Sequence, residues 1–259
     1  MNQMIHTENI SASYDDLTPI IRDISISVEK GKFIGILGPN GCGKTTLMRV
    51  LSRVIKPLGG VVVINDQNIS QYGSRSLAKI LGCVGQEGCK SFSFTVKDVV
   101  LMGRYPHCGQ FKQYSDEDIK IANEAMSNTN ILHLADRLIT EISGGERQRV
   151  WIAQTLTQQP KIILLDEPTA HLDINHQLEI LRLISNLTPS ITVLCVFHDL
   201  NLASNFCDRL ILMKDGKIMC NGSPSEVLTQ QRIQECFDVN IIVNTHPQTG
   251  QPYIVPVYK

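Results

Sequence analysis

The chain has 259 residues, of which 42% are hydrophobic and 19% charged, so it is long and apolar enough to bury a sizeable core and is not disordered or fibrous. Its 24 basic and 25 acidic side chains leave a net charge of −1, which argues against a broadly electropositive binder of nucleic acid. Residues 1–16 lack the basic and apolar regions of a secretory signal, and no stretch reaches the about 20 apolar residues of a membrane span. We therefore expect any link to a membrane to run through a partner protein.

The first part of the chain is rich in β-type runs. Strands are predicted at Met4–Ile10, Ile20–Val28, Phe33–Leu37, Val61–Ile64 and Ile80–Gly85. Roughly residues 91–159 change to a helix-like pattern. Within them, three carboxylates suit the start of a helix that runs to Ser127, namely Asp116, Glu117 and Asp118.

Short apolar strands return after this helical stretch. They are predicted at Ile162–Leu165, Ile191–Phe197 and Leu210–Met213, with helical spacing of apolar residues over Ile174–Leu187. Alternation of strands and helices builds a parallel sheet covered by helices. The sequence therefore predicts an α/β core interrupted by a mostly helical insertion. After Leu228 we expect a short tail in which proline residues break regular structure, namely Pro247, Pro252 and Pro256.

The eight cysteines show no C-x-x-C spacing of a zinc or redox site. Several lie in apolar runs, as Cys195 does, so we expect reduced thiols in the core of a cytosolic protein. Cys42 differs from the rest because it lies inside a glycine-rich loop.

That loop carries the strongest chemical signal. Residues 38–45 match G-x-x-x-x-G-K-[ST] in full, between a predicted strand and the predicted helix Thr46–Arg53. Glycines allow backbone N–H groups to surround a phosphate, Lys44 can reach the β- and γ-phosphates, and Thr45 can place its hydroxyl on Mg²⁺. The expected nucleotide-binding residues are Gly38, Pro39, Asn40, Gly41, Cys42, Gly43, Lys44, Thr45 and Thr46. We expect Cys42 to contribute only its backbone.

Two adjacent carboxylates end the apolar strand at Ile162–Leu165. Ligands collect at the carboxyl ends of strands in parallel sheets. Because consecutive side chains of a strand point to opposite sides, two neighbouring acids need two roles. Asp166 suits Mg²⁺, and Glu167 suits polarising the water that attacks the γ-phosphate.

A second group of small residues, Ser143-Gly-Gly-Glu146, precedes the helix-like run Arg147–Gln158. Such a segment at a helix start can hold an anion, although Ser-Gly-Gly is also an ordinary turn and helix cap. It carries no lysine of its own. The segment lies at the end of the helical insertion, shortly before Asp166, and this position favours a functional role over an ordinary turn.

Together these segments resemble an ABC-type nucleotide-binding subunit over essentially the whole chain. Gly38–Thr45 resembles the Walker A loop, Ile162–Glu167 the Walker B strand and Ile142–Gln148 the ABC signature, in which Ile142 and Glu146 replace the usual Leu and Gln. The resemblance implies roles for further residues: Gln86 in the Q-loop, for catalysis and Mg²⁺; Asp173 in the D-loop; His198 as the switch histidine; and Tyr14 stacked on adenine.

The resemblance also implies the fold, the cofactors and the assembly. We expect one ABC ATPase domain over residues 1–259, with a P-loop NTPase (RecA-like) α/β core and an antiparallel β subdomain at about 1–87 and 160–259 and a helical signature subdomain at about 88–159. ATP and Mg²⁺ are the expected cofactors. Two chains should form a homodimer in which Ser143, Gly144 and Gly145 of one chain close over the phosphates held by the partner.

Two further motifs indicate which kind of ABC cassette the chain resembles. Val99–His107 and His171–Gln177 resemble the cassettes of importers for iron–siderophore, haem and cobalamin. This implies two integral membrane permease subunits, an extracytoplasmic substrate-binding protein, no nucleic acid, and a place on the cytoplasmic face of the membrane. Aromatic residues within Glu87–Pro106 fit either a groove for a permease helix or ordinary subdomain core, namely Phe92, Phe94 and Tyr105.

Two other classes of protein compete with an importer ATPase. A P-loop kinase or GTPase does not account for Ser143–Gln148, and the chain lacks the guanine-reading N-K-x-D motif. A non-transport ABC ATPase, of DNA repair or translation, normally has two cassettes or a long coiled-coil insert. Here the segment between Lys44 and Asp166 has no sustained heptads. An importer ATPase is the prediction, and the non-transport ATPase stays the alternative.

Overall fold

The computed structural model describes residues 3–15, 18–85, 93–108 and 113–257. The chain divides into two compact units. The first comprises Met1–Gln71 and Thr188–Lys259, and the second is the continuous segment Tyr72–Leu187. Among the described residues, no helix combines the length and the apolar character needed to cross a membrane.

Strands and helices alternate along most of the chain. The strands are β1 Gln3–Ala12, β2 Ile21–Ile24, β3 Ser27–Glu29, β4 Phe33–Leu37, β5 Gly59–Ile64, β6 Gln67–Asn68, β7 Leu81–Val84, β8 Ile162–Asp166, β9 Thr192–Val196, β10 Arg209–Lys214, β11 Lys217–Gly222, β12 Ile241–Thr245 and β13 Pro252–Pro256. The α-helices are α1 Lys44–Leu51, α2 Ser74–Ala78, α3 Val96–Leu101, α4 Asp116–Asn128, α5 Gly144–Thr157, α6 Ile174–Leu187, α7 Leu200–Phe206, α8 Pro224–Val227 and α9 Gln230–Phe237.

The first unit contains an antiparallel sheet built around β1. Strands β2, β3 and β5 each pair antiparallel with β1, and β6 continues the sheet beyond β5. Ile5 of β1 lies opposite Ile64, and Ile10 lies opposite Ile24; all four side chains are fully buried. Cross-strand pairs of buried β-branched residues stabilise such a sheet. The expected antiparallel β part is confirmed.

The same unit contains a parallel sheet that positions the glycine-rich loop. Strand β4 lies between β9 and β10 and runs parallel to both, while β11 pairs antiparallel with β10. All five residues of β4 are buried, as expected for an interior strand of a parallel sheet. The backbone N–H of Phe33 donates to the Asp208 carboxylate at 2.8 Å, which fixes the start of β4 against a residue 175 positions later.

The second unit pairs β7 with β8 in parallel and packs helices α3, α4 and α5 around a core of their own. Val100, Met126 and Val150, one from each helix, are fully buried there. Each of these helices begins with a capping box, in which a Ser or Thr side chain accepts from the N3 backbone N–H and the N3 carboxylate accepts from the cap.

Helix α4 is also tied by a buried ion pair. Arg104 Nε lies 2.7 Å from Asp118 Oδ1, and the two side chains are only 8% and 12% exposed. The second guanidinium arm donates to the carbonyl oxygen of Thr157 at 3.0 Å. The bonds from Arg104 and then Ser115 lower the pKa of Asp118 to about 2. Replacing either charge should therefore leave the other buried without its partner.

We expect Asp118→Asn to lower the free energy of unfolding by about 3–5 kcal/mol at neutral pH. The folded-state pKa lies below the unfolded one, so the contribution is complete above about pH 4 and is lost as the pH falls through about 2. Denaturant titrations at pH 7 and between pH 2 and 5 measure both effects. Asp116→Asn, on the exposed first turn of the same helix, is the control. Equal losses in the two variants would contradict the prediction.

The prediction that prolines break regular structure in the tail is wrong for Pro252 and Pro256, whereas Pro247 lies in a turn. Helix α9 follows Leu228, and β12 and β13 form an antiparallel hairpin in which Ile241 lies opposite Pro256. Pro252 and Pro256 are the first and last residues of β13, where a missing N–H disturbs a two-stranded ladder least. Asn201 of α7 anchors the hairpin because it both donates to and accepts from the backbone of Ile254, at 3.1 and 2.7 Å.

Candidate functional site

The glycine-rich loop connects β4 to α1 through backbone angles that suit glycine. Gly38, Gly41 and Gly43 have φ values of 150°, 78° and 101°. A Cβ on Gly38 would lie 2.2 Å from the Met213 carbonyl oxygen, and one on Gly43 would lie 2.5 Å from Ile21. Positive φ values at closely spaced glycines are typical of loops whose N–H groups converge on an anion. The local structure therefore matches the predicted phosphate loop.

Lys44 is the first residue of α1 and is only 6% exposed. Its ammonium donates to the carbonyl oxygens of Gly38 and Pro39 at 2.8 and 3.0 Å, so the charge is held over the loop itself. Thr45 is half-buried and Thr46 is buried, both in the first turn of α1. The positive end of the helix dipole adds to the lysine charge at this point. The segment can hold phosphate groups.

Cys42 is buried within the loop. Burial raises the pKa of its thiol, although the nearby Lys44 charge opposes that effect. The thiol lies beside Gly38, since a Cβ on that glycine would come within 2.7 Å of Cys42 Sγ. A neutral, packed thiol fits the expectation that only the Cys42 backbone serves the ligand.

Tyr14 lies beside helix α1 in the same unit. Its hydroxyl accepts from Arg49 of α1 at 3.0 Å, and the Arg49 guanidinium lies 5.4 Å from the ring centre. The residue is 54% exposed. An exposed ring next to the helix that starts at the phosphate loop is placed where it could stack on a nucleotide base.

His198 follows β9 and is exposed. Strands β4 and β9 are parallel neighbours, so His198 and Gly38 both lie beyond the carboxyl ends of adjacent strands. The next residue, Asp199, caps α7 by accepting from the N–H groups of Asn201 and Leu202 at 2.7 and 2.9 Å. This cap fixes the backbone that carries the histidine.

The second unit carries the two acids. Asp166 ends β8 and Glu167 follows it, and both are half-buried. Glu167 has a φ of 54°, in the left-handed region that non-glycine residues rarely adopt. Its carbonyl oxygen accepts from Ala170 N–H at 3.1 Å, so the chain turns sharply directly after the strand. Unusual backbone angles of this kind cluster at functional sites.

Ser143 is the exposed N-cap of α5. Glu146, which stands where the family pattern usually has Gln, completes the cap. Ser143 Oγ accepts from Glu146 N–H at 3.2 Å, and Ser143 N–H donates to the Glu146 carboxylate at 2.8 Å. These bonds from Ser143 lower the pKa of Glu146. Glu and Gln both serve at this position of a capping box, so the cap is preserved with Glu146 in place of the usual Gln.

Asp173 is exposed just before α6. One carboxylate oxygen accepts from the His176 backbone N–H at 3.0 Å, and the other lies 2.7 Å from His176 Nδ1. The backbone bond and then the side-chain bond lower the pKa of Asp173. Sequence alone indicates only a surface or packing residue at His176. Its spacing of three residues from Asp173, at the start of a predicted helix, is the signal that could have revealed this contact.

The structure thus collects the predicted residues in two sets. Tyr14, residues 38–46 and His198 belong to the first unit, and Ser143, Gly144, Gly145, Asp166, Glu167 and Asp173 belong to the second. Gln86 lies outside the described residues, as do residues 87–92 of the predicted permease groove.

Comparison with known proteins identifies the family. Residues 21–170 match the family model described as ABC transporter. The chain is 38% identical to the ferric enterobactin transport ATP-binding protein of Escherichia coli (strain K12) over 252 residues, which is 96% of this chain and 93% of the relative. It is 40% identical to a probable siderophore transport system ATP-binding protein of Bacillus subtilis (strain 168) over 97% of this chain and 92% of the relative.

A solved structure supports the same assignment. A protein assigned to the metal-chelate type of ABC transporter, in an inward-facing conformation, superimposes with a TM-score of 0.87 at 29% identity, covering 100% of this chain and 98% of the other. The expected fold class is confirmed by this match together with the sheets described above. The chain therefore belongs to the ABC transporter family and is one of its ATP-hydrolysing cassettes.

Proposed function

We propose that the chain is the energy-coupling ATPase of an importer for an iron–siderophore or related metal chelate. The observation that carries the proposal is the full-length similarity to two siderophore-related ATP-binding proteins, at 38% and 40% identity, in a chain whose phosphate loop is fully formed. Haem and cobalamin remain within the same class of cargo. The chain supplies ATP-driven motion, and the cargo would be recognised by other subunits.

The chemistry proposed for this site is attack of water on the γ-phosphorus of ATP, which breaks the bond to the bridging β–γ oxygen and releases ADP and inorganic phosphate. Lys44 and the N-terminus of α1 hold the phosphate charge, and Glu167 accepts the proton of the attacking water. His198 and Gln86 are proposed to act at the same phosphate. Mg²⁺, when bound, neutralises charge on the phosphate oxygens. The Thr45 hydroxyl and the Asp166 carboxylate are oxygen donors of the kind that Mg²⁺ prefers, and Gln86 adds an amide oxygen.

Assembly as a homodimer is proposed because the signature has phosphate-binding character but no lysine. Ser143 and Gly144 are exposed at the start of α5, where N–H groups and the helix dipole favour an anion. In a two-fold dimer each signature would close over the ATP held by Lys44 of the partner chain. ATP would then hold the dimer closed, and hydrolysis would release it.

The proposed stacking of Tyr14 on adenine predicts a loss of affinity in Tyr14→Ala. Both ATP and GTP should bind about 1–3 kcal/mol more weakly, since stacking does not read the edge of the base. Tyr14→Phe keeps the ring and loses only the hydroxyl bond to Arg49, so its affinity should stay near that of the wild type. Titration with both nucleotides measures the effect. An unchanged Kd in Tyr14→Ala would show that the tyrosine only packs.

Two permease subunits in the membrane are the proposed partners, with an extracytoplasmic substrate-binding protein in the complete system. In such a complex the cassette would lie at the cytoplasmic face of the membrane. Within the predicted contact region, Phe94 is exposed and Tyr105 is 74% exposed, which makes both available to a partner. Exposed aromatic side chains of this kind are common in protein interfaces.

Tyr105→Asp should therefore prevent co-purification with the permease while nucleotide affinity is retained. The side chain is largely in solvent, so the substitution should cost little stability. Tyr253→Asp, at an exposed tyrosine of the C-terminal hairpin, is the matched control. If the Tyr105→Asp cassette still assembles, the permease contact lies elsewhere.

The function itself is tested with the complete transporter. The cassette is purified in complex with its permease, and ATP hydrolysis is measured with the binding protein and a series of chelates. A ferric siderophore, haem or cobalamin should stimulate hydrolysis. A cassette that joins no membrane protein and instead responds to DNA or ribosomes would favour the non-transport alternative.

A further inference from the structure

The second unit brings the signature helix against the helix that follows the D-loop. Gly145, in the first turn of α5, is buried against the ring of His176 in the first turn of α6. A Cβ added to Gly145 would lie 3.0 Å from His176 Cδ2 and 3.3 Å from Cγ. A side chain on Gly145 would therefore press against the ring.

The same histidine is also bonded to the D-loop. His176 Nδ1 lies 2.7 Å from Asp173 Oδ2, and the His176 backbone N–H donates to Asp173 Oδ1 at 3.0 Å. His176 therefore bonds to Asp173 through its Nδ1 atom and its backbone N–H. The ring carbons Cγ and Cδ2 are the atoms nearest to Gly145. The His176 residue is half-buried. Asp173 and Gly144, the neighbour of Gly145, are both exposed.

A second contact one turn further along keeps the helices in register. Arg149 of α5 lies 2.5 Å from the Glu179 carboxylate of α6, and the Arg149 side chain is largely buried. Arg149 also donates to the carbonyl oxygen of Thr129 at 3.2 Å, and Asn175 donates to the second Glu179 oxygen at 3.3 Å. Together with the contact between His176 and Gly145, this pair joins the N-terminal parts of α5 and α6 at two points.

We infer that His176 is a positioning residue that couples the D-loop to the ABC signature within one chain. This inference rests on the proposed function, in which Ser143 and Gly145 close over ATP. In that function, dimer closure and hydrolysis would both require the signature and the D-loop to be correctly placed. A ring wedged between them makes Asp173 and Gly145 move together, so that signature and D-loop engage the partner as one body.

Adding a side chain at the two glycines of the signature should therefore have different effects. A Cβ added to Gly144 would meet no atom of the described residues within 4 Å, whereas one added to Gly145 would meet the His176 ring. Gly145→Ala should lower the midpoint of thermal unfolding in the wild-type chain and should have a smaller effect once the ring is removed by His176→Asn. Gly144→Ala is the matched control, and its effect should be the same with and without the ring.

Two substitutions of the histidine separate its two contacts. His176→Asn keeps an N–H donor for Asp173 and removes the ring from Gly145. His176→Phe keeps the ring and loses the donor. In the full chain, both should lower kcat for ATP hydrolysis about 10- to 100-fold, as expected for displaced reacting groups, with KM for ATP within about twofold of the wild type. If His176 served only for packing, its replacement would lower stability but would not lower kcat while leaving KM unchanged.

Hydrogen exchange gives a readout that needs no nucleotide. The backbone N–H groups of Glu146 and Arg147 are bonded to Ser143, so their exchange reports the order of the signature segment. Exchange there should accelerate in His176→Asn and His176→Phe and stay unchanged in Lys120→Asn, at an exposed position of α4 in the same unit.

The outcomes are distinguishable. A wild-type chain without ATPase activity would contradict the proposed function, while the exchange measurement would still decide whether His176 fixes the signature. Unchanged exchange in both His176 variants, or kcat values within about twofold of the wild type in both, would overturn the coupling. Equal thermal effects of Gly145→Ala with and without the ring would overturn it as well.

Discussion

Replacing Glu167 by glutamine is expected to slow ATP hydrolysis by about 10²- to 10⁴-fold while leaving ATP binding intact. The amide keeps the size and the hydrogen-bonding capacity of the side chain but cannot accept the proton of the attacking water. The left-handed backbone at Glu167 holds the residue at a fixed point after β8, and Gln does not change that conformation. The effect should therefore appear in kcat and not in the Kd of ATP.

Steady-state hydrolysis and a nucleotide-binding titration, carried out on the same preparation, measure the two quantities. Glu124→Gln, at an exposed position of α4, is the matched control for the loss of one carboxylate. Because binding continues and hydrolysis does not, Glu167→Gln should also accumulate as a dimer in the presence of ATP. Turnover within a few-fold of the wild type would refute the role of Glu167, and a monomer at saturating ATP would refute closure by the signature.

Lys44→Ala is expected to act at an earlier step, the binding of nucleotide itself. The ammonium is buried and held over the loop by the carbonyl oxygens of Gly38 and Pro39, so it is already in place for a phosphate. A hydrogen bond to a charged group contributes about 1.5–3 kcal/mol, which corresponds to a loss of roughly 10- to 150-fold in affinity. Hydrolysis should fall with it.

Titration with ATP measures the change, and Lys30→Ala, at an exposed lysine of the same unit, is the control. Equal affinities in Lys44→Ala and the wild type would contradict the assignment. Mixing Lys44→Ala chains with Ser143→Arg chains adds a test of the dimer. Such a pair combines both lesions at one site and leaves the other intact, so partial hydrolysis should return.

The sequence predicted the segments whose chemistry and structure are local. Phe33–Leu37 and Ile174–Leu187 have the bounds that their apolar patterns indicated, and the loop that joins β4 to α1 follows from the glycine spacing. Positions 38, 41 and 43 need positive φ values, which is a property of single residues. Such features can be predicted from the sequence because they do not depend on distant parts of the chain.

What could not be predicted depends on distant contacts. The hairpin of β12 and β13 was missed because proline is a breaker in a sequence, yet Asn201 and Ser204 of α7 secure its second strand. His176 was missed as a contact of the signature because Gly145 lies far from it in sequence. The single run predicted at Ile20–Val28 forms two strands, β2 and β3, which pair with different parts of β1.

Strand β4 is synthesised early, but its neighbours are synthesised late. Asp208, which accepts from Phe33, follows it by 175 residues. At about 5–20 residues per second, a ribosome needs roughly 10 to 35 s to cover that distance. The second unit is continuous and complete before β9 begins, so it can fold while β4 still has no partner strands. The nucleotide loop therefore cannot reach its final surroundings before β10 is synthesised, and a product that stops before β10 lacks the Met213 carbonyl against which Gly38 packs.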